Sequence, residues 1–320
     1  MDIENRRVTD LGFRNSDPNA ASMSRQNPVV YKENDRWYGT FRKGKYMFPI
    51  DEDELNRMDI FNKFFMVARR DHPFTSPIHN RETPRIMDLG CGTGIWGIEV
   101  ADRYPNGTHL GVDLNLIQPE FIPPNIQFVQ KDIEMTWTDL EPGSWDLIHM
   151  RTLNGSIANW PKLYQEVHRH LRPYYGFVEQ VEIDWTPRSD DDTLSTNSYL
   201  VHWAEELMDA MESFDRPLRM DSNRTKQQMR EAGLVDINEE VIKFALNGWP
   251  TEPHAKDMGR WFNLGFVQGV SALTLAPLYR SKNIPKEEIA ELLQKVVQEA
   301  GSLKIHAYFT LHIFTARRPQ

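Results

Sequence analysis

Short apolar runs alternate with helical stretches over most of the chain beyond residue 85. Runs of four to eight apolar residues bounded by turn signals are typical of buried strands, and a 3–4 spacing of apolar positions is typical of helices. The predicted strands are 86–89, 109–112, 126–130, 147–150, 177–183, 237–246 and 304–316. The predicted helices are 93–104, 162–171, 192–214, 222–232, 255–279 and 285–300. This alternation indicates an α/β fold built from right-handed βαβ units around a mostly parallel sheet.

The first 80 residues have a different pattern. The stretch 1–30 contains few large apolar side chains, too few to offset the entropy of ordering it. After an aromatic and basic stretch, the acids at 51–54 begin an amphipathic helix that ends near 71–73. The predicted divisions are a flexible tail at 1–30, an N-terminal helical cap segment at 31–80, and a main domain at 81–320 with a helical insertion at about 250–302.

Composition excludes several classes of protein. With 40% hydrophobic and 26% charged residues, the chain is neither collagen-like nor wholly disordered. Forty-six acids against 37 bases give a net charge of −9, which argues against direct nucleic-acid binding and against an anionic membrane as partner. The single cysteine, Cys91, allows neither an internal disulfide nor a cysteine-rich zinc site, and we expect no metal and an intracellular location.

The most informative stretch lies between the first predicted strand and the helix that follows it. It contains Asp88, Gly90, Cys91, Gly92, Thr93 and Gly94. Glycines there allow a tight turn and let a ligand approach the backbone closely. Asp113 ends the second strand, 23 residues after Gly90 (113 − 90), where a carboxylate accepts ribose hydroxyls. Asp132 follows the third strand and is placed to accept the exocyclic amine of adenine, so the pattern predicts a site for an adenosine-containing cofactor.

Two kinds of adenosine cofactor fit this pattern. The run from Gly92 to Gly97 matches the Gly-x-Gly-x-x-Gly fingerprint of dinucleotide-binding enzymes, so a nicotinamide or flavin enzyme is an alternative, as is a loop whose glycines serve turn geometry alone. Three features favour methyl transfer: Asp88 ahead of the loop, the extra acid Asp132, and a long final strand. The run resembles the class I S-adenosylmethionine-dependent methyltransferases, which have an acid two residues before a Gly-x-Gly-x-Gly loop. That resemblance implies a Rossmann-like sheet of seven strands with an antiparallel last strand, helices on both faces, S-adenosylmethionine as cofactor and S-adenosylhomocysteine as product.

A longer set of motifs, spread over about residues 30–318, resembles the LaeA-like fungal methyltransferases. The residues that carry it are Tyr38-Gly39, Gly44-Lys45-Tyr46, Pro49, Asp51-Glu52, Arg57, Asp59, the run 87–99, Ser144-Trp145-Asp146-Leu147-Ile148-His149, Gln180-Val181-Glu182-Ile183-Asp184, Ile305-His306-Ala307-Tyr308 and Leu311-His312. The resemblance implies a nuclear or nucleocytoplasmic protein that associates with velvet-domain regulators and controls secondary metabolism and development. The methyl acceptor, a protein or a small molecule, is not implied. Two alternatives stay open: a small-molecule O- or N-methyltransferase of a biosynthetic pathway, and a cofactor-binding regulatory subunit with little catalysis.

The candidate catalytic residues lie at the end of the fourth strand. As a histidine, residue 149 belongs to the class that titrates near neutral pH, and it is placed where acceptors dock, although a histidine hydrogen-bonded inside the sheet is the favoured interpretation. Arg151 would orient the acceptor or the cofactor carboxylate, or bond to loop backbone. Glu182 and Asp184 point the same way along the fifth strand, either toward the active-site mouth or, more simply, as a solvated pair.

The remaining candidates are cofactor-binding residues. Tyr46 and Arg57 would cover the pocket from the N-terminal segment, or else serve packing and a surface ion pair. The set is completed by the neighbours of the strand ends, Leu114, Ile133 and Met150.

Overall fold

The computed structural model describes residues 6–7, 29–78 and 81–320. In the N-terminal part a small antiparallel sheet combines β1 (Arg6–Arg7), β2 (Val29–Glu33) and β3 (Arg36–Gly39), and α1 (Glu52–Ala68) follows. The hairpin of β2 and β3 was not predicted. Its two-residue turn has positive φ at both central residues, 48° at Asn34 and 64° at Asp35, a backbone that this residue pair tolerates. Most of the predicted tail lies outside the described residues.

The main sheet has seven strands in the order β6-β5-β4-β7-β8-β10-β9. Its strands are β4 (Arg85–Leu89), β5 (Thr108–Asp113), β6 (Ile126–Gln130), β7 (Leu147–Arg151), β8 (Phe177–Arg188), β9 (Val235–Ala245) and β10 (Tyr308–Arg317). Strand β10 runs antiparallel to both of its neighbours, whereas the pairs among β4 to β8 are parallel. The predicted fold class is therefore confirmed, and the carboxyl ends of β4 to β8 meet at one edge of the sheet.

Helices connect the strands along the chain. They are α2 (Ile95–Arg103), α3 (Trp160–His170), α4 (Tyr199–Glu212), α5 (Ser222–Glu231), α6 (Pro253–Lys282) and α7 (Lys286–Ala300). Helix α4 begins later than predicted because the Ser198 side chain caps it by accepting a hydrogen bond from Val201 N. Helices α6 and α7 lie between β9 and β10, where the helical insertion was predicted. No helix in the described ranges has both the length and the apolarity needed to cross a bilayer.

Aromatic packing fixes α1 against α6 and the sheet. The rings of Phe64 and Phe262, both fully buried, lie 5.2 Å apart between centroids, and each lies within 4.8 Å of the Phe244 ring on β9. Helix α6 approaches α1 closely at Gly269, because a Cβ there would overlap the Cδ of Arg57. This packing holds the first turns of α1 above the carboxyl edge of the sheet.

Candidate functional site

A cavity opens at the carboxyl edge of the sheet, beneath the N-terminal segment. It contains about 1360 Å³ of empty space, part of which is open to solvent. Most of the predicted site residues line it: Tyr46, Arg57, Asp88, Gly90, Cys91, Gly92, Thr93, Asp113, Leu114, Asp132, Ile133 and Arg151. The other three, Gly94, His149 and Met150, lie outside this lining.

The glycine loop is tied to the end of the neighbouring strand. Gly90 N and Cys91 N donate to Val112 O at 2.7 and 3.1 Å, and Gly92 N donates to Asp113 Oδ2 at 2.8 Å. The φ angles of 69° at Gly90 and 55° at Gly92 lie in the left-handed region that favours glycine. The turn therefore places the loop backbone, rather than side chains, against the cavity.

Asp113 keeps hydrogen-bonding capacity toward the cavity. Its Oδ2 accepts from Gly92 N, and its Oδ1 accepts from Asn115 N at 2.9 Å. A carboxylate has about four lone-pair sites, so each oxygen can still accept one further donor. Burial raises the pKa of Asp113 to about 6. A pair of adjacent hydroxyl groups would satisfy both free positions.

Asp132 is engaged by a cation that the sequence analysis did not single out. Lys45 Nζ, from the segment between β3 and α1, lies 2.5 Å from Asp132 Oδ2 and 3.0 Å from a Glu134 oxygen. Asp132 Oδ1 also accepts from Glu134 N at 3.1 Å. An adenine amine at Asp132 would share the carboxylate with Lys45, so the N-terminal segment contributes directly to this end of the cavity.

His149 is held inside the sheet. Its Nδ1 lies 2.8 Å from Asp88 Oδ1, and its ring stacks on Trp96 with centroids 3.7 Å apart and planes 8° apart. The side chain is fully buried, burial lowers its pKa, and Nε2 has no hydrogen-bond partner among the described residues. A general base must reach the proton that it removes. The ring instead orients Asp88 from behind the cavity wall, which is the alternative arrangement considered for this histidine.

Arg151 brings an unpaired positive charge to the cavity. Its Nη2 donates to Asn62 Oδ1 at 3.0 Å, and its guanidinium lies 4.6 Å from the Phe65 ring centroid. Among the described residues no carboxylate lies within 4.0 Å of it, and burial lowers its pKa to about 10. A buried cation with free donors is a binding site for an anion, such as the carboxylate of an amino acid.

Tyr46 and Arg57 cover the cavity from the N-terminal segment. Arg57 donates to both oxygens of Glu54, at 2.8 and 2.6 Å, and this ion pair is buried rather than on the surface. Burial raises the pKa of the Tyr46 hydroxyl well above its usual range. Both residues therefore combine packing with a position over the predicted cofactor.

Glu182, for which a position at the active-site mouth was one of two interpretations, lines the cavity. The simpler interpretation, a solvated pair of Glu182 and Asp184, is wrong, because the two residues are 1% and 6% exposed. Asp184 is paired with Arg188 at 2.6 Å. Glu182 faces the cavity beside an apolar wall formed by Phe48, Phe61, Phe65, Ile157, Trp185, Leu218 and Leu273. The four-residue spacing of Phe61 and Phe65 places both on one helix face but carries no signal that a cavity lies beside it.

Comparison with known proteins agrees with this geometry. A family described as a methyltransferase domain matches residues 62–239. The secondary metabolism regulator LAE1 of Cochliobolus heterostrophus is 49% identical over 294 residues, which cover 91% of this chain and 95% of that protein. The regulator laeA of Fusarium oxysporum f. sp. lycopersici is 44% identical over 288 residues, covering 89% of this chain and 90% of that protein.

Solved structures of lower similarity include phosphoethanolamine N-methyltransferase 2 of Haemonchus contortus in complex with phosphomonomethylethanolamine and S-adenosylhomocysteine. It is 16% identical, with a TM-score of 0.49 over 84% of this chain and 58% of that one. No group of three or more histidine, cysteine, aspartate or glutamate side chains in the described part of the chain is arranged to hold a metal ion. The family match and the two regulators confirm the predicted resemblance. The chain belongs to the methyltransferase-domain family and, within it, to the family of LaeA-type secondary metabolism regulators.

Proposed function

We propose that the protein is an S-adenosylmethionine-dependent methyltransferase that regulates fungal secondary metabolism and development. The observation that carries the proposal is the order of polar groups along one edge of the sheet: the glycine loop after β4, Asp113 at the end of β5 and Asp132 after β6. Brought to one cavity, they match the tail, sugar and base of an adenosine cofactor.

The residues present fit this cofactor in chemical type. Asp113 has free lone pairs for two ribose hydroxyls, and the glycine loop offers backbone that a ligand can approach closely. Arg151 has donors for the carboxylate of the amino acid tail, and a pairing there would relieve its isolation. Bound S-adenosylmethionine supplies a methyl group on a sulfonium, which makes the departing sulfur neutral.

The work left to the chain is binding and orientation. Holding two reactants at attack distance contributes roughly 7–11 kcal/mol in well-oriented systems, so no covalent intermediate is needed. The apolar wall around Phe61 and Trp185 borders the cavity, and Lys45 extends from the N-terminal segment to its Asp132 end.

Calorimetric titration with S-adenosylmethionine and S-adenosylhomocysteine tests the donor site. We expect Gly92→Glu to abolish binding. A side chain is strained at a φ of 55°, and its Cβ would lie 3.0 Å from Met58 Sδ, so the loop backbone that faces the ligand would have to move. Asp113→Ala should weaken binding about 10- to 100-fold, the effect of removing a charged hydrogen-bond partner. Asp102→Ala, an exposed acid on α2, is the control and should bind as the wild type does. Unchanged affinity in Gly92→Glu would refute the proposed donor site.

The regulatory role rests on the relatives, which include secondary metabolism regulators at 49% and 44% identity. We propose a nuclear location and velvet-domain proteins as partners. Complementation of a deletion strain tests this with wild-type chain, Gly92→Glu and Asp102→Ala, each fused to a fluorescent protein. Restored metabolite output, nuclear fluorescence and co-purification with velvet proteins are expected for the wild type and Asp102→Ala. Full restoration by Gly92→Glu would instead favour a regulatory subunit that needs no catalysis.

A further inference from the structure

A carboxyl group without a cationic partner faces the cavity from β8. Oε1 of Glu182 accepts from Leu153 N at 3.1 Å and from Gln180 Nε2 at 3.2 Å, whereas among the described residues only Asn154 N, at 3.2 Å, donates to Oε2. No lysine, arginine or histidine of the described residues forms an ion pair with it. Each carboxylate oxygen has two lone-pair sites, so Oε2 keeps one for a ligand.

Glu182 lies close to the glycine loop. The residue that donates to it, Leu153, packs over the loop, since a Cβ on Gly90 would lie 2.5 Å from Leu153 Cδ2. The backbone of residues 153–154 thus separates the carboxyl group from the loop by a single layer. The free position on Oε2 is therefore near the middle of β8, next to the carboxyl end of β7 and beside the predicted donor site.

The surroundings of Glu182 select a small apolar ligand. Phe61 and Phe65 on α1 and Trp185 on β8 are between 3% and 6% exposed, and Leu218 and Leu273 complete the apolar wall of the cavity. An aromatic wall of this kind suits a flat ring. An ammonium group has three donors, and Oε2 offers one free position, so the other two would be buried without acceptors against the apolar wall. A carboxylate would be repelled by ionised Glu182.

We propose that Glu182 binds the methyl acceptor and that this acceptor is a small, uncharged aromatic molecule with a hydroxyl nucleophile. The inference rests on the proposed function. The acceptor hydroxyl donates its hydrogen to Oε2. As its oxygen forms the bond to the methyl carbon, the carbon–sulfur bond breaks, the electron pair leaves with sulfur as a neutral thioether, and the proton passes to the Glu182 carboxylate.

The state of ionisation agrees with this role. Burial raises the pKa of Glu182 to about 7, near the pH at which a general base is most effective. Titratable groups on the adjacent elements are Tyr164 on α3, His312 opposite on β10 and Arg151 on β7, and Asp184 lies two residues along β8. The ring of His312 is bonded to Glu239 at 2.7 Å.

Binding to the full chain saturated with S-adenosylhomocysteine tests the proposal, with 2-naphthol, naphthalene and 2-naphthoate as probes. We expect 2-naphthol to bind at least about tenfold tighter than the other two, and Glu182→Gln to abolish this preference, because an ionised acceptor makes the stronger hydrogen bond. Asp184→Asn, a buried acid outside the cavity lining on the same strand, is the matched control and should keep the preference. The affinity for 2-naphthol should rise through about pH 7 in the wild type and stay flat in Glu182→Gln.

Three further measurements separate the possible failures. Absence of S-adenosylhomocysteine binding by the wild type would refute the proposed function itself. Normal S-adenosylhomocysteine binding with no preference for 2-naphthol, or with the same preference in a folded Glu182→Gln variant, would overturn this inference alone. With S-adenosylmethionine present, mass spectrometry should detect the methyl ether of 2-naphthol, formed at least about 100-fold more slowly by Glu182→Gln. Methylation of a lysine peptide at equal rates by both proteins would also overturn it.

Discussion

Replacing Arg151 by methionine should separate stability from cofactor affinity. The pKa of Arg151 is about 10, more than two pH units below the usual value of a guanidinium. This difference corresponds to a cost of about 3 kcal/mol for the buried charge. Because the pKa is lowered in the folded state, this cost is fully present at pH 7 and disappears only in strong alkali. Methionine removes the cost but also the hydrogen bond to Asn62 and the contact with the Phe65 ring, each worth about 1 kcal/mol. The free energy of unfolding should therefore stay the same or rise by about 1 kcal/mol.

The same substitution should weaken ligand binding. A charge-assisted hydrogen bond to a carboxylate contributes about 1.5–3 kcal/mol, so affinity for S-adenosylhomocysteine should fall about 10- to 100-fold. Urea unfolding and calorimetry on the same preparation give both quantities. A free energy of unfolding more than about 2 kcal/mol below that of the wild type would refute the reasoning about the buried charge. Unchanged affinity would refute the assignment of the cofactor carboxylate.

Arg69 provides the matched control, since it is also a buried arginine but, unlike Arg151, has a carboxylate partner. Its Nη2 lies 2.5 Å from Glu179 Oε1, and it does not line the cavity. Arg69→Met leaves Glu179 buried without its cation, which should cost about 3–5 kcal/mol. Affinity for S-adenosylhomocysteine in the folded fraction should not change. The two arginines are thus expected to respond in opposite ways to the same substitution.

Two further substitutions test how the site is held. Gly269→Ala should destabilise the protein by about 1–3 kcal/mol in urea unfolding, because the new Cβ overlaps Arg57. Gly301→Ala is the control and should be nearly neutral, since the nearest atom to its Cβ is 3.5 Å away. Equal effects of the two substitutions would contradict the packing of α6 on α1. His149→Leu should cost at least about 2 kcal/mol, because it leaves the buried Asp88 without its hydrogen bond, and methyl transfer per folded molecule should fall less than about tenfold. A loss of 100-fold or more at normal stability would show that His149 acts as a base.

The central strands β4, β7 and β8 were predictable because they are mostly buried, and a buried parallel strand is a short apolar run. The edge strand β6 is less buried, but its predicted bounds, 126–130, are those of the structure. Strand β8 extends to Arg188, beyond the predicted end at 183. The prediction stopped early because residues 184–188 do not form an apolar run and include Pro187. In the part of the chain that the structure describes, the hairpin of β2 and β3 pairs only with β1, and its aromatic and basic residues do not show the alternation of a half-buried sheet.

The donor half of the site was predictable for a topological reason. Parallel strands end at one edge, so acids that close successive strands must meet there, and Asp113 and Asp132 do. Lys45 and Glu182 were not predictable in the same way. Lys45 reaches Asp132 across 87 positions of the chain, and Glu182 reaches Leu153 across 29. In addition, acids that alternate along a strand usually face solvent, and only the central place of β8 in the sheet buries Glu182.

The family match divides the cavity into a shared part and a particular part. The glycine loop, Asp113 and Asp132 lie within the matched residues 62–239, whereas Lys45, Phe61 and Leu273 lie outside them. The cover and part of the apolar wall therefore come from the N-terminal segment and from α6, which are held together at Gly269. Donor binding can stay constant in such an arrangement while the cover and wall vary, because they belong to separate segments of the chain. Selectivity for the acceptor is accordingly expected to follow changes in the N-terminal segment and α6 rather than changes in the glycine loop.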